Sequence, residues 1–247
     1  MALDKKFNPK KNFNLIRCGR NNDGGYLVSN KTILEAKTLI AFGILDDCSF
    51  ESDFIKINPV NVYCYDHTVN NTYWKKRIYN DIGASLYNFN WPFIKNTLTR
   101  YFEFRNFFKI KSNYLDVKTI GTSSIKKILS ENNFPKPLFF KIDIEGSEYR
   151  ILDELIEFQD NLCGLVIEFH DLDLNLERVK NFINNFQLPL THIHPNNYGS
   201  VDEKNDPLVI EMTFEKHPEE DRKSLIFPNK FDQPNNPNNK DIILNFE

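Results

Sequence analysis

The run Leu138–Glu148, LFFKIDIEGSE, constrains the fold of this chain more than any other stretch. Leu138, Phe139, Phe140, Ile142 and Ile144 make a short apolar run of the kind found in strands buried on both faces. From Ser147 onward, Ile151, Leu152, Leu155 and Ile156 recur at helical spacing. Asp143, Glu145 and Gly146 therefore fall where a parallel strand ends and its crossover helix begins. Ligands of open α/β sheets bind outside that end of the strands, so two carboxylates there mark a candidate site.

The rest of the chain alternates in the same way. Leu39–Leu45, Val62–Asp66, Phe102–Ile110, Gly164–Phe169, Leu190–His194 and Leu208–Phe214 read as further strands. Ser49–Ile57, Ser123–Leu129 (with Thr122 or Ser123 as N-cap) and Leu174–Phe186 read as helices. Trp74–Ile94 is rich in aromatics but has no clean period. Alternation at this spacing predicts an α/β fold: one doubly wound, mainly parallel, seven-stranded Rossmann-like sheet in a single domain. The last two strands lack a helix between them, which predicts an antiparallel edge. Residues 37–216 form the expected α/β domain. Residues 1–36 are an extension with the turn signal Gly24–Gly25, and 217–247 a Pro/Asn-rich segment. That composition suits a poorly ordered tail, yet Leu225, Ile226, Phe227, Phe231, Ile242, Ile243 and Leu244 are more apolar than a free tail needs.

Composition excludes several classes. A net charge of −3 gives no global attraction to nucleic acid or anionic membrane. The basic clusters Lys5-Lys6, Lys10-Lys11 and Lys75-Lys76-Arg77 are short and read as solvated faces. No apolar run approaches the roughly 20 residues that span a bilayer, and the start lacks the apolar core of a secretory signal. Cys18, Cys48, Cys64 and Cys163 form no CxxC and read as reduced core thiols. The expectation is a cytoplasmic protein. Tyr73, Trp74, Tyr79, Tyr87, Phe89, Trp91, Phe93 and Tyr101 read mainly as core under a helical insertion, with some free to stack on sugar rings.

Chemistry-bearing residues gather at the predicted strand ends. Gly43 ends the first strand and lets backbone approach a ligand. It is not part of a GxGxxG, which argues against a nicotinamide enzyme. Asp66, followed by His67, ends the second strand, where a carboxylate suits the two hydroxyls of a ribose. Glu168, His170 and Asp171 follow the fifth strand. His192, His194, Asn196, Asn197 and Tyr198 follow the next. An imidazole near neutral pKa can take a proton from a hydroxyl. Histidines with Asp143 and Glu145 can also hold a divalent ion, but the spacing matches no metal motif, and no metal is predicted.

With these residues in view, the chain resembles a class I S-adenosylmethionine-dependent methyltransferase of the FkbM type. The resemblance rests on KIDIEGSE (Lys141–Glu148), NDGGY (Asn22–Tyr26), FGILDDCSFE (Phe42–Glu51), HIHPNNYG (His192–Gly199) and PLVIEMTF (Pro207–Phe214). It departs from the family in the first loop, where Gly43 stands alone. It implies methyl transfer from S-adenosylmethionine to a hydroxyl oxygen of a sugar, glycan or related small molecule. It also implies a cofactor site of Gly43, Asp46, Asp47, Ser49, Asp66 and His67, closed over by Gly24 and Gly25. Asp143 and Glu145 surround the methyl group in this reading. His170 is the candidate base, with Asp171 or Glu168 setting its tautomer, and His192 and His194 are second choices. Glu168, Asp171, Asn196, Asn197 and Tyr198 are candidate substrate contacts. A nucleotide-sugar-using, glycosyltransferase-like enzyme and a non-catalytic module on the same fold are the alternatives.

Overall fold

In the computed structural model, described for residues 3–88, 91–117, 125–199, 201–203, 206–222 and 227–246, strands and helices alternate through most of the chain. The short β1 (Asn12–Phe13) leads into the hairpin β2 (Leu15–Gly19) and β3 (Gly25–Ser29), followed by α1 (Asn30–Glu35). Then come β4 (Thr38–Phe42), α2 (Ser49–Ile57), β5 (Asn61–Tyr65), α3 (Asn71–Asn88), α4 (Trp91–Phe107) and β6 (Asn113–Asp116). After α5 (Ile125–Glu131) follow β7 (Leu138–Ile142), α6 (Leu152–Phe158), β8 (Leu162–Phe169) and α7 (Leu172–Asn185). The chain finishes with β9 (Leu190–Pro195), β10 (Ile210–Glu215) and β11 (Glu220–Asp221).

The main sheet has seven strands in the order β6-β5-β4-β7-β8-β10-β9. β10 runs antiparallel to both neighbours, and the β4, β5, β6, β7 and β8 pairings are parallel. Strand alternation sends side chains into two cores. Ile40, Phe42, Phe140, Ile142 and Ile167 pack against α5, α6 and α7. Leu39, Ala41, Phe139 and Val166 pack against α1, α2, the β2–β3 hairpin and the α3–α4 pair. Covering both faces is what makes these strands read as unbroken apolar runs. The four cysteines are buried free thiols.

Two readings of the sequence are corrected. Phe102–Ile110 is not a strand: Phe104 and Phe107 recur at helical spacing, are buried, and belong to α4, and the edge strand is β6. The helix after the KIDIEGSE run starts later than Ser147; a 3₁₀ turn at Glu148–Arg150 precedes α6. The ambiguous Trp74–Ile94 stretch is α3 and the start of α4. The N-cap expected at Thr122 or Ser123, and Phe89, Leu225 and Ile226, lie outside the described residues. No described helix is long and apolar enough to cross a membrane. Within the C-terminal segment Leu244 is buried, and Phe227 packs edge-on against Phe246.

Candidate active site

The ends of β4, β5, β7 and β8 frame a cavity of about 660 Å³. Its first wall is the loop after β4. Gly43 has φ +74°, and a Cβ there would lie 1.6 Å from the main-chain oxygen of Asp143. No side chain fits, because β7 passes directly alongside: the Asp143 N–H donates to Phe42 O at 2.9 Å. Lys141, buried on the same side, donates from Nζ to Gly43 O at 3.0 Å and lies over the Tyr26 ring. Burial opposes the charge on Lys141, but Glu51, Asp143, Asp47 and Glu168 outweigh it and hold the ammonium's pKa above its ordinary value.

Asp66 lines the cavity, but its carboxylate is already engaged. Oδ2 accepts from the Ile44 and Leu45 N–H groups at 2.9 and 2.8 Å. Oδ1 accepts from Thr68 N, Thr68 Oγ1 and Val69 N. Burial pushes its pKa up, and these donors more than reverse that, so it ends below its ordinary value. The four or so lone-pair sites of a carboxylate are filled. Asp66 therefore fixes the glycine loop from the cavity wall. His67 and Thr68 line the cavity beside it.

The second wall is the turn after β7. Glu145 (φ +52°) and Gly146 (φ +90°) bend it sharply. Glu148 reaches back, fully buried, and its Oε1 accepts from Ile144 N (3.1 Å) and Gly146 N (3.2 Å). The same oxygen lies 3.1 Å from His170 Nδ1. Nδ1 thus carries the ring proton, and Nε2 is left as an acceptor, 3.5 Å from Glu145 and 3.8 Å from Glu168. Burial pulls the His170 pKa down. The hydrogen bond to Glu148 and the charges of Glu148, Asp143 and Glu145 outweigh it, and the net shift is upward.

The floor is acidic. Burial raises the Asp143 pKa to about 6, against the pull of Lys141 and His170. Its Oδ1 is buried without a partner. Glu168 is pushed well up by burial and by Asp143 and Glu211. It accepts from Asn196 Nδ2 (2.8 Å) and Tyr26 Oη (3.3 Å). Asp143, Glu168 and His170 each offer one atom within 4.8 Å of the others, a spacing that a divalent ion fits.

Of the residues singled out in the sequence, Gly24, Gly43, Asp46, Asp47, Asp66, His67, Asp143, Glu145, Glu168, His170, Asn196 and Tyr198 line this cavity. Asp46 does so while paired with Arg77 (2.5 Å) and Arg100 (3.2 Å), and Asp47 while paired with Arg20 (2.8 Å). Gly25, Ser49, Asp171, Asn197, His192 and His194 are elsewhere. Gly25 leaves room for Arg20 O and the Arg17 guanidinium inside the hairpin. Ser49 accepts from Arg20 N. Asp171 starts α7 at φ +48°, and it is Glu148, not Asp171 or Glu168, that bonds His170 Nδ1. Asn197 bonds Asn236 and Asn239 of the C-terminal segment.

His192 and His194 alternate with Ile193, which points into the core against α7, so both rings lie on the opposite face. There they stack on each other and meet Asp232 and Glu211. Reading by sequence missed Glu148, Lys141 and Tyr26. Both Glu148 and Lys141 stand inside the KIDIEGSE run; for Lys141 an ionisable residue in the middle of an apolar strand was the available signal, whereas Glu148 lies past the turn with no such mark.

A parallel sheet with one antiparallel strand next to its edge, a glycine loop after β4, and acids at the ends of β5, β7 and β8 define a class I methyltransferase architecture. The chain belongs to the FkbM methyltransferase family: the model of the methyltransferase FkbM domain matches residues 10–188. Membership implies an enzyme that uses S-adenosylmethionine. None of the curated proteins matches the sequence. Among solved structures, an rRNA methylase from Streptococcus thermophilus is similar at 10% identity, covering 76% of this chain and 94% of that one with a TM-score of 0.38. The 23S rRNA methyltransferase ErmE is similar at 9% identity (77% and 68% covered, TM-score 0.42). A human methyltransferase 10 domain containing protein is similar at 10% (74% and 72%, TM-score 0.41). Likeness at this level says nothing about what this chain methylates.

Proposed function

We propose that this chain is an S-adenosylmethionine-dependent O-methyltransferase acting on a hydroxyl of a sugar, glycan or related small molecule. The observation that carries this reading is the His170–Glu148 pair, which holds His170 at the cavity wall through Nδ1 and leaves Nε2 clear of Glu148. The cofactor fits the residues present. Gly43 and the loop after it line the cavity, and the buried, unpartnered Asp143 Oδ1 is an acceptor awaiting a donor such as an ammonium or hydroxyl group.

When bound, the cofactor supplies a methyl group already activated on a sulfonium. The chain then has two tasks. The first is alignment. Asp143, Glu145, Asn196 and Tyr198 hold the acceptor's hydroxyls, and the loop from Gly43, pinned by Asp66, frames the methyl donor. Proximity and orientation can supply roughly 7–11 kcal/mol. The second is deprotonation. His170 Nε2 takes the hydroxyl proton, and Glu148 stabilises the imidazolium that results. A positioned base adds about 10²–10⁴-fold.

The test pairs two measurements. S-adenosylhomocysteine at 100 times its Kd adds about 2.7 kcal/mol of stability, whereas UDP and GDP add none. His170→Ala lowers methyl transfer from labelled S-adenosylmethionine to a panel of sugars and glycans far more than it lowers affinity for S-adenosylhomocysteine. Unchanged turnover removes His170 from the role, and stabilisation by UDP or GDP alone favours a nucleotide-sugar enzyme instead.

A further inference from the structure

The pair α3–α4 projects from the sheet edge as an antiparallel hairpin. Trp74 near the start of α3 meets Tyr101 and Phe104 near the end of α4, at ring separations of 5.2 and 5.4 Å, and Thr97 donates to Asp81 midway. Its inner face buries Trp74, Phe104 and Phe107. Its outer face is also apolar, which is why the sequence shows no clean period. On α3, Lys75, Tyr79, Ile82 and Leu86 form one exposed stripe at i, i+4, i+7, i+11. On α4, Trp91, Lys95, Leu98, Phe102 and Arg105 form another at i, i+4, i+7, i+11, i+14. Tyr79 is 79% exposed, Tyr87 86% and Trp91 61%.

Charge is segregated along the same hairpin. Residues 71–111 hold eight Lys/Arg against two Asp/Glu, in a chain whose net charge is −3. Arg77 and Arg100 are spent on Asp46. The remaining cations are exposed, and all but Lys95 stand at the base of the hairpin: Lys75 and Lys76 on α3, and Arg105, Lys109 and Lys111 at the far end of α4 and beyond. The tip carries Leu86, Tyr87, Trp91 and Phe93.

We infer that the α3–α4 hairpin docks this protein on the surface of an anionic phospholipid bilayer, lying along it with the exposed apolar stripes of both helices in the headgroup region and the cations on those stripes, Lys75, Lys95 and Arg105, against the phosphates. Tyr and Trp favour that boundary, and cations next to it gain from the negative surface potential. A single-stranded nucleic acid fits less well, because Ile82, Leu86 and Leu98 offer no stacking surface and the cations do not alternate with the aromatics along a groove. The inference does not depend on the methyl-transfer reading. The Arg77 and Arg100 pairs with Asp46 join the hairpin to the cavity wall.

The test is co-sedimentation of the full chain with vesicles of phosphatidylcholine alone and of phosphatidylcholine with phosphatidylglycerol. The protein pellets with the second and stays in solution with the first. Trp74 is buried, so a blue shift of tryptophan emission on vesicle addition reports Trp91, one of only two tryptophans. The variant Lys75→Gln/Lys95→Gln/Lys109→Gln, with all three changes exposed, keeps the wild-type melting temperature and loses about 100-fold in partition to anionic vesicles. Tyr87→Ser/Trp91→Ser abolishes retention at high salt. No association with anionic vesicles overturns the inference. So does equal partition of the triple glutamine variant, or tight binding of oligouridylate without vesicle binding. Self-association that disappears in Tyr87→Ser/Trp91→Ser, with no vesicle binding, assigns the surface to a second copy instead.

Discussion

His170 Nδ1 lies 3.1 Å from Oε1 of Glu148, a carboxylate with no solvent exposure that also receives the N–H groups of Ile144 and Gly146. One side chain thus holds both the sharp turn after β7 and the tautomer of the imidazole at the end of β8. Burial lowers the His170 pKa, and Glu148, with Asp143 and Glu145 behind it, more than reverses that. Replacing the charge by an amide, in Glu148→Gln, therefore lowers it. The acid limb of the kcat/KM profile moves to lower pH, because His170 stays unprotonated further down. Turnover falls by about 10²-fold as the imidazolium loses its counter-charge. Profiles of the two proteins side by side check this, and an unmoved limb removes Glu148 from its positioning role.

Nε2 cannot both take a proton and ligate an ion. With His170 as the base, dialysis against EDTA leaves methyl transfer unchanged. An excess of Mn²⁺ inhibits it by occupying Asp143, Glu168 and His170, whose donor atoms lie within 4.8 Å of one another. Activation by the ion, rather than inhibition, makes His170 a ligand and moves the base elsewhere. Steady-state rates across a metal titration decide between the two.

Gly43 and Gly24 line the same cavity with positive φ and differ in what a methyl group meets. At Gly43 it meets a main-chain oxygen at 1.6 Å, and at Gly24 the end of the Asp47 side chain at 2.9 Å. Main chain in the middle of a sheet cannot yield, whereas a carboxylate can rotate. Gly43→Ala is expected to cost more than about 3 kcal/mol, and Gly24→Ala about 1–2 kcal/mol from the left-handed backbone alone. Urea unfolding of both variants measures the difference, and equal losses contradict the packing argument.

The two-sided burial of β4, β7 and β8 is written into their sequences as continuous apolar runs, so the sheet and its carboxyl-terminal rim were legible. Gly43, Asp143 and His170 followed from where those runs stop. Three things were not legible. Glu148 lies past the turn, in a 3₁₀ segment, and only the folded chain brings it under His170. Asp66 stands at its expected place, but one of its two oxygens is taken by N–H groups 21 and 22 residues earlier, at Leu45 and Ile44, a partnership no local pattern encodes. His192 and His194 reach the right strand, yet a period of two fixes only that they share a face, not which face meets the cavity.

Because Asp66 accepts from five donors, it is a structural keystone of the loop after β4. Asp66→Ala strips partners from Ile44 and Leu45 N–H at once and is expected to cost about 1.5–3 kcal/mol. Its folded pKa is depressed, so its contribution is present above the unfolded value near 3.9 and is lost as pH falls through the lower folded value. The wild type should therefore lose stability on acidification in a window where Asp66→Ala does not. Melting temperatures of both proteins from neutral pH down to about pH 2 bracket the unfolded value, and parallel curves argue against the assignment.

The C-terminal segment is tied to the sheet by the pair His192–Asp232, beside which His194 and Glu211 face each other across β9 and β10. His192 Nε2 meets Asp232 at 2.8 Å, and His194 Nδ1 meets Glu211 at 3.6 Å. Burial raises the Asp232 pKa, but the hydrogen bond and charge of His192 outweigh it and leave it depressed. Burial lowers the His194 pKa, but Glu211, together with the charges of Asp232 and Asp241 in the C-terminal segment, outweighs it and leaves it raised. Asp232 therefore stabilises above about 3.9, its unfolded value, and that is lost as pH falls through its folded pKa. His194 stabilises fully below about 6.5, its unfolded value, and that is lost as pH rises through its folded pKa. Both contributions coexist at mildly acidic pH. Amide exchange of residues 229–239 is slowest there and quickens toward alkaline pH beyond the intrinsic rate. Asp232→Asn removes the lower arm and loosens the segment by about 1.5–3 kcal/mol, which also frees Asn22, whose N–H and side chain bond Gln233 and Pro234. Exchange in 229–239 that follows only the intrinsic pH dependence, in wild type and variant alike, contradicts this account.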